Sequence, residues 1–133
     1  MRLFIAIQFD VMAKADLLSL CGTLRARGAS GRFTQRENLH LTLAFLGELP
    51  ETQSAESALE RLNFSAFTLR TTELGCFHRG DGDICWLGLA EDEALLRLQR
   101  ELCASLEQEG LPYDKKTFRP HLTLARDFRL PPG

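Results

Sequence analysis

The 133 residues predict a single domain that mixes strands with helices and carries one strand sequence twice. Three observations support this. Runs with strand alternation are interleaved with helix-period stripes along the whole chain, and no linker or low-complexity segment divides it. The pentapeptide His-Leu-Thr-Leu-Ala occurs twice, at 40–44 and 121–125. At 15.0 kDa, two full domains do not fit.

Residues 2–9 (RLFIAIQF) are apolar and rich in β-favourable Phe and Ile, a first strand bounded by Asp10. The Asp10 carboxylate suits a helix N-cap, and Leu17, Leu18, Leu20, Cys21 and Leu24 recur at helical spacing up to Gly28. Residues 28–38 are polar and contain glycine, so they read as a loop. Residues 40–46 alternate until Gly47 and Pro50 break them, giving a second strand. Residues 51–62 are Glu-rich with Ala55, Ala58, Leu59 and Leu62 on one side, a second helix. Residues 64–77 read as extended, 78–83 as a Gly/Asp turn and 84–89 as a strand, together an antiparallel hairpin. Glu91, Asp92 and Glu93 favour a helix N-terminus, Leu95, Leu96, Leu98, Leu102 and Leu106 form the stripe behind it, and Gly110 ends it. Residues 117–126 are extended again.

Composition narrows the function. No apolar run approaches the roughly 20 residues that span a bilayer, so no membrane segment is expected. The run after Arg2 stops at Gln8 and Asp10 with no small-residue cleavage site, which argues against a signal peptide. Cys21, Cys76, Cys85 and Cys103 are scattered, as expected of reduced thiols in a cytoplasmic protein. Cys76, His78 and Cys85 are conceivable zinc ligands, but a fourth at finger spacing is missing, and the reading is no metal. The formal charge of -2 offers no general basic coat for nucleic acid. Its distribution does better. Residues 24–40 hold four Arg and one Glu, net +3; residues 112–133 hold five Lys or Arg and two Asp, also net +3; residues 47–111 hold five Arg and thirteen acids, net -8. Positive charge therefore flanks both copies of the pentapeptide, as a phosphate-attracting cleft requires, although solvated loop charge is the plain alternative.

In a strand, the His and Thr of each copy share one face while the two Leu enter the other. Packing explains the Leu residues and the β propensity of Thr, but it does not ask for the same His and Thr twice. Two imidazoles titrating near neutrality suit a reaction with one base and one acid. Two hydroxyls can donate hydrogen bonds to the non-bridging oxygens of a phosphate without adding charge.

The two HxTx motifs, HLTL at 40–43 and at 121–124, resemble the signature of the 2H phosphoesterase superfamily. The opening RLFIAI, then ENLHLTLAFLGELPE, CWLGL and FRPHLTLAR, resemble in the same order the RNA 2',3'-cyclic phosphodiesterases, or 2'-5' RNA ligase-like proteins. The resemblance implies an α+β fold over residues 1–133: a bilobal duplicated domain of two pseudo-symmetric lobes, each with an antiparallel sheet carrying one HxTx strand beside helices, and a central active-site groove. Relatives continue with further strands after the second motif, whereas this chain ends seven residues beyond Arg126, so the C-terminal strands are expected to be absent.

The activity implied is hydrolysis of a 2',3'-cyclic phosphate on RNA ends or cyclic nucleotides to a 2'-phosphomonoester, without metal or cofactor. His121 resembles the base that deprotonates water and His40 the acid that protonates the 3'-oxygen. Thr42 and Thr123 would hold the phosphoryl oxygens, and reversal would give 2'-5' ligation. Arg126 matches the family's Arg after the second motif, but alternation points it away from His121, so a bulge or the strand end must redirect it. Phe45 stands at the equivalent place in the first copy and is expected to point coreward. Arg119 shares parity with His121 and is a second candidate; Arg32 ranks below both. Phe118 suits base stacking or burial, His78 reads as surface, and Trp86 as packing. Two other readings are a non-catalytic module that binds RNA ends or nucleotide phosphates, and a metal hydrolase built on His40, His121 and a Cys.

Overall fold

The computed structural model describes residues 1–131. The chain runs β1 (Arg2–Gln8), α1 (Val11–Ala26), β2 (Ser30–Phe33), a 3-10 turn (Arg36–Asn38), β3 (His40–Glu48), α2 (Gln53–Glu60), β4 (Thr71–Phe77), β5 (Ile84–Leu89), α3 (Glu93–Gln108) and β6 (His121–Arg129). The α+β class and two sheets, each carrying one HxTx strand, are as expected: β1 pairs with β3, and a four-stranded sheet has the order β2-β6-β5-β4. Two departures concern boundaries. Residues 30–33, read as loop, form β2, and only the last part of 64–77 is strand. The 28–38 segment looks polar because β2 is a short edge strand, recruited by pairing with β6 rather than by its own apolar content.

The residues divide into two compact units. The first comprises Met1–Ile7, Thr42–Arg70 and Ala90–Arg119. Here Met1 and Leu49 exchange N–H to C=O bonds of 2.9 and 2.8 Å, the signature of an antiparallel pair. The third helix starts where Asp92 accepts from the N–H groups of Ala94 and Leu95, and Gly110, at φ +68°, ends it. Its buried stripe of Leu95, Leu98, Leu102 and Leu106 faces inward. Ala55 and Ala58 let α2 approach closely enough for the Ser105 hydroxyl to donate to the Ala58 carbonyl at 2.7 Å. Gln99 reaches the Leu43 carbonyl at 3.4 Å and so ties α3 to β3.

The second unit comprises Gln8–Leu41, Thr71–Leu89 and Pro120–Gly133. Asp10 caps α1 by accepting from the Ala13 N–H at 2.8 Å. That helix buries Leu17 and Cys21, and Arg25 lies over the Phe33 ring at 4.6 Å. In the sheet, Cys85 opposes both Cys76 and Ala125 and Leu87 opposes Leu74 and Leu122; Cys85, Leu87, Leu122 and Ala125 are buried, whereas Leu74 is exposed. Burial pushes the Cys85 thiol up to about 11, helped by Cys76 and Cys21 nearby.

Candidate active site

The second HLTLA copy opens β6, and its register against β5 determines what the site contains. Gly88 opposes His121 and Trp86 opposes Thr123, yet Cys85 opposes Ala125 and Ile84 opposes Arg126. One step along β5 between Trp86 and Cys85 therefore spans two along β6, a β-bulge at Leu124. Alternation resumes with the opposite parity. Since Ile84, Trp86 and Gly88 share one face, so do Arg126, Thr123 and His121. The redirection that Arg126 needed is built into the strand. Thr34, directly after β2, braces the bulge, its N–H donating to the Leu124 carbonyl at 2.8 Å and its hydroxyl to the Thr123 carbonyl at 2.9 Å.

A second irregularity follows. Ser30 and Arg32, two residues apart on β2, oppose Arg129 and Arg126, three apart on β6. Asp127 takes up the extra residue at φ +50°, a conformation few non-glycine residues adopt. Gly31 permits it, because a Cβ there would lie 2.9 Å from the Arg126 carbonyl oxygen. Arg32 Nε meets the Asp127 carboxylate at 2.6 Å, and Arg32, Arg79 and Arg126 line a small depression of about 70 Å³ together with Asp81 and Asp127. A wider depression, about 810 Å³, is lined by Glu51, Glu56 and Glu60, charges that repel phosphate.

His121 is half-buried, with its ring edge-on to Phe77 at 5.6 Å and to Trp86 at 6.4 Å. Phe77 and Trp86 also pack against each other at 5.3 Å. Gly75 makes room for the indole, since a Cβ at that position would come within 2.1 Å of Trp86 Cζ2. The Trp86 N–H is buried with no hydrogen-bond partner among the described residues. Trp86 is packing, as expected, but packing that walls a histidine.

The first copy opens β3. The 3-10 turn and the buried Leu39 deliver His40 to the strand start, half-buried. Burial holds its pKa below the ordinary imidazole value, and the Lys14 ammonium on α1 lowers it further. Thr42 is half-buried like Thr123. The two copies share a burial pattern: Leu43 and Ala44 are both buried, as are Leu124 and Ala125, and the next residue is exposed. Phe45 is accordingly 54% exposed, packed on Phe4 at 6.2 Å, and the expectation of a coreward ring is wrong because strict alternation fails at Ala44.

Arg119 is exposed and precedes β6, Phe118 is half-buried, and His78 is exposed. Sequence reasoning missed Lys14, Phe77 and Arg79. The only signal was the position of Lys14 one turn before Leu18 on a helix and of Phe77 two residues after a glycine in a strand.

Residues 16–132 match the profile of the 2'-5' RNA ligase superfamily. The chain belongs to the 2'-5' RNA ligase superfamily. Within it, an RNA 2',3'-cyclic phosphodiesterase from Thermotoga maritima is 34% identical over 131 residues, spanning 95% of this chain and 70% of that protein. Another protein of the same name, from Archaeoglobus fulgidus, is 34% identical over 130 residues, spanning 95% and 72%. The crystal structure of E. coli LigT complexed with 3'-AMP superposes with a TM-score of 0.75 at 30% identity, over 95% of this chain and 71% of LigT. Among the described residues of this superfamily member, no helix is long and apolar enough to cross a membrane.

Proposed function

We propose that the chain is an RNA 2',3'-cyclic phosphodiesterase that opens the cyclic phosphate on RNA ends or nucleotides and leaves a 2'-phosphomonoester. The bulge in β6 supports this most directly, because it gathers an imidazole, a hydroxyl and a guanidinium on one sheet face. Relatives of whose length this chain spans 70% and 72% carry that name.

In this reading neutral His121 takes a proton from water, and the water oxygen attacks phosphorus. The bond from phosphorus to the 3'-oxygen breaks, and protonated His40 gives its proton to that oxygen, so the histidines finish with exchanged protonation states. Thr123, and Thr42 by the duplication, donate to the non-bridging oxygens. Arg126 supplies positive charge as the pentavalent transition state forms, with Arg119 as a second cation. The groups present account for proton transfer and charge stabilisation without a metal.

The lowered pKa of His40 fits an acid that is loaded by its substrate. Burial and Lys14 disfavour the imidazolium in the empty site, and a bound phosphate anion opposes both effects. With a 5'-hydroxyl in place of water, the same groups in the same roles would form a bond from that oxygen to phosphorus as the 3'-oxygen leaves, which is 2'-5' ligation, and the cellular setting that this substrate implies is the cytoplasm.

Product analysis tests the proposal. A nucleoside 2',3'-cyclic phosphate should yield the 2'-phosphate, EDTA should not slow turnover, and either His40→Ala or His121→Ala should cut the rate by ~10²–10⁴-fold with folding intact. A purely 3'-phosphate product refutes the leaving group. Tight binding of a 2'-phosphorylated end with no turnover across pH 5 to 9 refutes hydrolysis in favour of a binding module.

A further inference from the structure

At the turn end of the β4–β5 hairpin, on the opposite sheet face from His121, stands a set of side chains that the phosphoester chemistry does not use. Cys76 and His78 are two residues apart on β4 and its extension, so they share a face. Asp83 directly precedes β5 and has the parity of Cys85, which opposes Cys76. A thiol sulfur, an imidazole nitrogen and a carboxylate oxygen of these three residues all lie within 4.8 Å of one another, and His78 Nδ1 is 3.1 Å from Asp83 Oδ2.

We propose that Cys76, His78 and Asp83 form a binding site for a divalent d-block cation of the Zn²⁺ type. Zinc bonds of about 2.0–2.3 Å to sulfur, nitrogen and oxygen place tetrahedral ligand atoms roughly 3.3–3.8 Å apart, so closure requires side-chain rotations of about an ångström. Softness decides the ion: one sulfur and one nitrogen donor beside a single carboxylate select Zn²⁺ and its neighbours over Mg²⁺ or Ca²⁺, which prefer all-oxygen cages.

Sequence spacing alone suggested Cys85 as the third ligand. The fold supplies Asp83 instead, because Cys85 on that face is buried beside Cys21 while Asp83 stands at the turn end of the hairpin. Two ligand backbones are already fixed: Cys76 sits in the ladder opposite Cys85, and the Asp83 carbonyl accepts from the Phe128 N–H at 3.1 Å. His78 is exposed, which leaves an entry path and room for water in the fourth position. The site is distinct from the histidines proposed for catalysis, and Phe77, between two of its ligands in sequence, turns its ring to His121 on the other face.

Titration of the reduced full chain with Co²⁺ is the test, because thiolate ligation gives a sulfur-to-cobalt charge-transfer band that histidines and carboxylates cannot produce. One equivalent should develop the band, and Zn²⁺ should displace it stoichiometrically. Cys76→Ser should abolish the band, His78→Ala, at an exposed position that folding does not need, should weaken binding at least roughly tenfold, and Cys103→Ser should change nothing. No band with the wild-type chain, or a band that survives both Cys76→Ser and His78→Ala, overturns the proposal. Neither result bears on phosphodiester hydrolysis, which is assayed separately.

Discussion

Gly75→Ala should disable the enzyme from a position that touches no substrate. The added Cβ would lie 2.1, 2.3 and 2.5 Å from three atoms of the Trp86 indole. Carbon atoms rest about 3.5–4.0 Å apart, so the indole must retreat by about 1.5 Å. It is packed against Phe77 at 5.3 Å and has His121 at 6.4 Å, so the displacement reaches the wall of His121, the proposed base. Overpacking of this kind costs about 1–3 kcal/mol, against a total stability of about 5–15 kcal/mol for a domain, so most molecules stay folded. Misplacing a reacting group by about 1 Å costs ~10²-fold in rate, equivalent to about 2.7 kcal/mol of barrier. Trp86 is the single tryptophan, so its fluorescence reports the displacement directly while cyclic nucleotide hydrolysis and urea unfolding report the rest. The expected result is shifted fluorescence, a modestly lowered midpoint and about 100-fold slower turnover. Trp86→Phe, introduced into the same variant, should restore part of the rate by making room. Shifted fluorescence with wild-type turnover would refute the positioning role of this wall.

Lys14→Ala removes the second cause of the lowered His40 pKa, so that pKa should rise while burial keeps it below the ordinary value. With His40 acting as the acid, the high-pH limb of the rate profile should move upward, and an unmoved limb would exclude His40 from that role. Thr123→Ala should slow hydrolysis by ~10²-fold or more through loss of one transition-state donor, whereas Thr123→Ser should retain most of the rate; equal losses would make the residue structural. Leu102→Ala, at a fully buried position on α3, should cost about 2–5 kcal/mol by urea unfolding and leave turnover per folded molecule unchanged.

Most elements were legible because their signals are local. The Asp10 cap, the acidic helix start at 91–93, the Leu95 to Leu106 stripe and the Gly/Asp turn after Phe77 each depend on neighbours within a few residues, and each appears where expected. The short strand β2 was not legible, since its polar residues become a strand only by pairing with β6, far along the chain. The Cys76, His78 and Asp83 set was half legible for the same reason: spacing marks the first two, and only the hairpin register brings in the third.

The side chains of the two HLTLA strands show where such reading stops. A repeated HLTLA pattern predicts that His and Thr share a face, and strict alternation then assigns the sixth residue to the core. Both copies break that rule at the same step, burying the fourth and fifth residues and exposing the sixth. In β6 the break is a bulge held by Thr34, and it brings Arg126 to the face of His121. In β3 the residue exposed at the same step is Phe45. One burial pattern is thus repeated with the pentapeptide while the exposed residue differs, a cation after one histidine and an aromatic ring after the other. If the burial pattern rather than the residue is what the repeat preserves, exchanging Phe45 and Arg126 should leave both strands folded and cost activity chiefly through the cation lost beside His121. A double exchange that retained full turnover would show that Arg126 contributes no charge to the reaction.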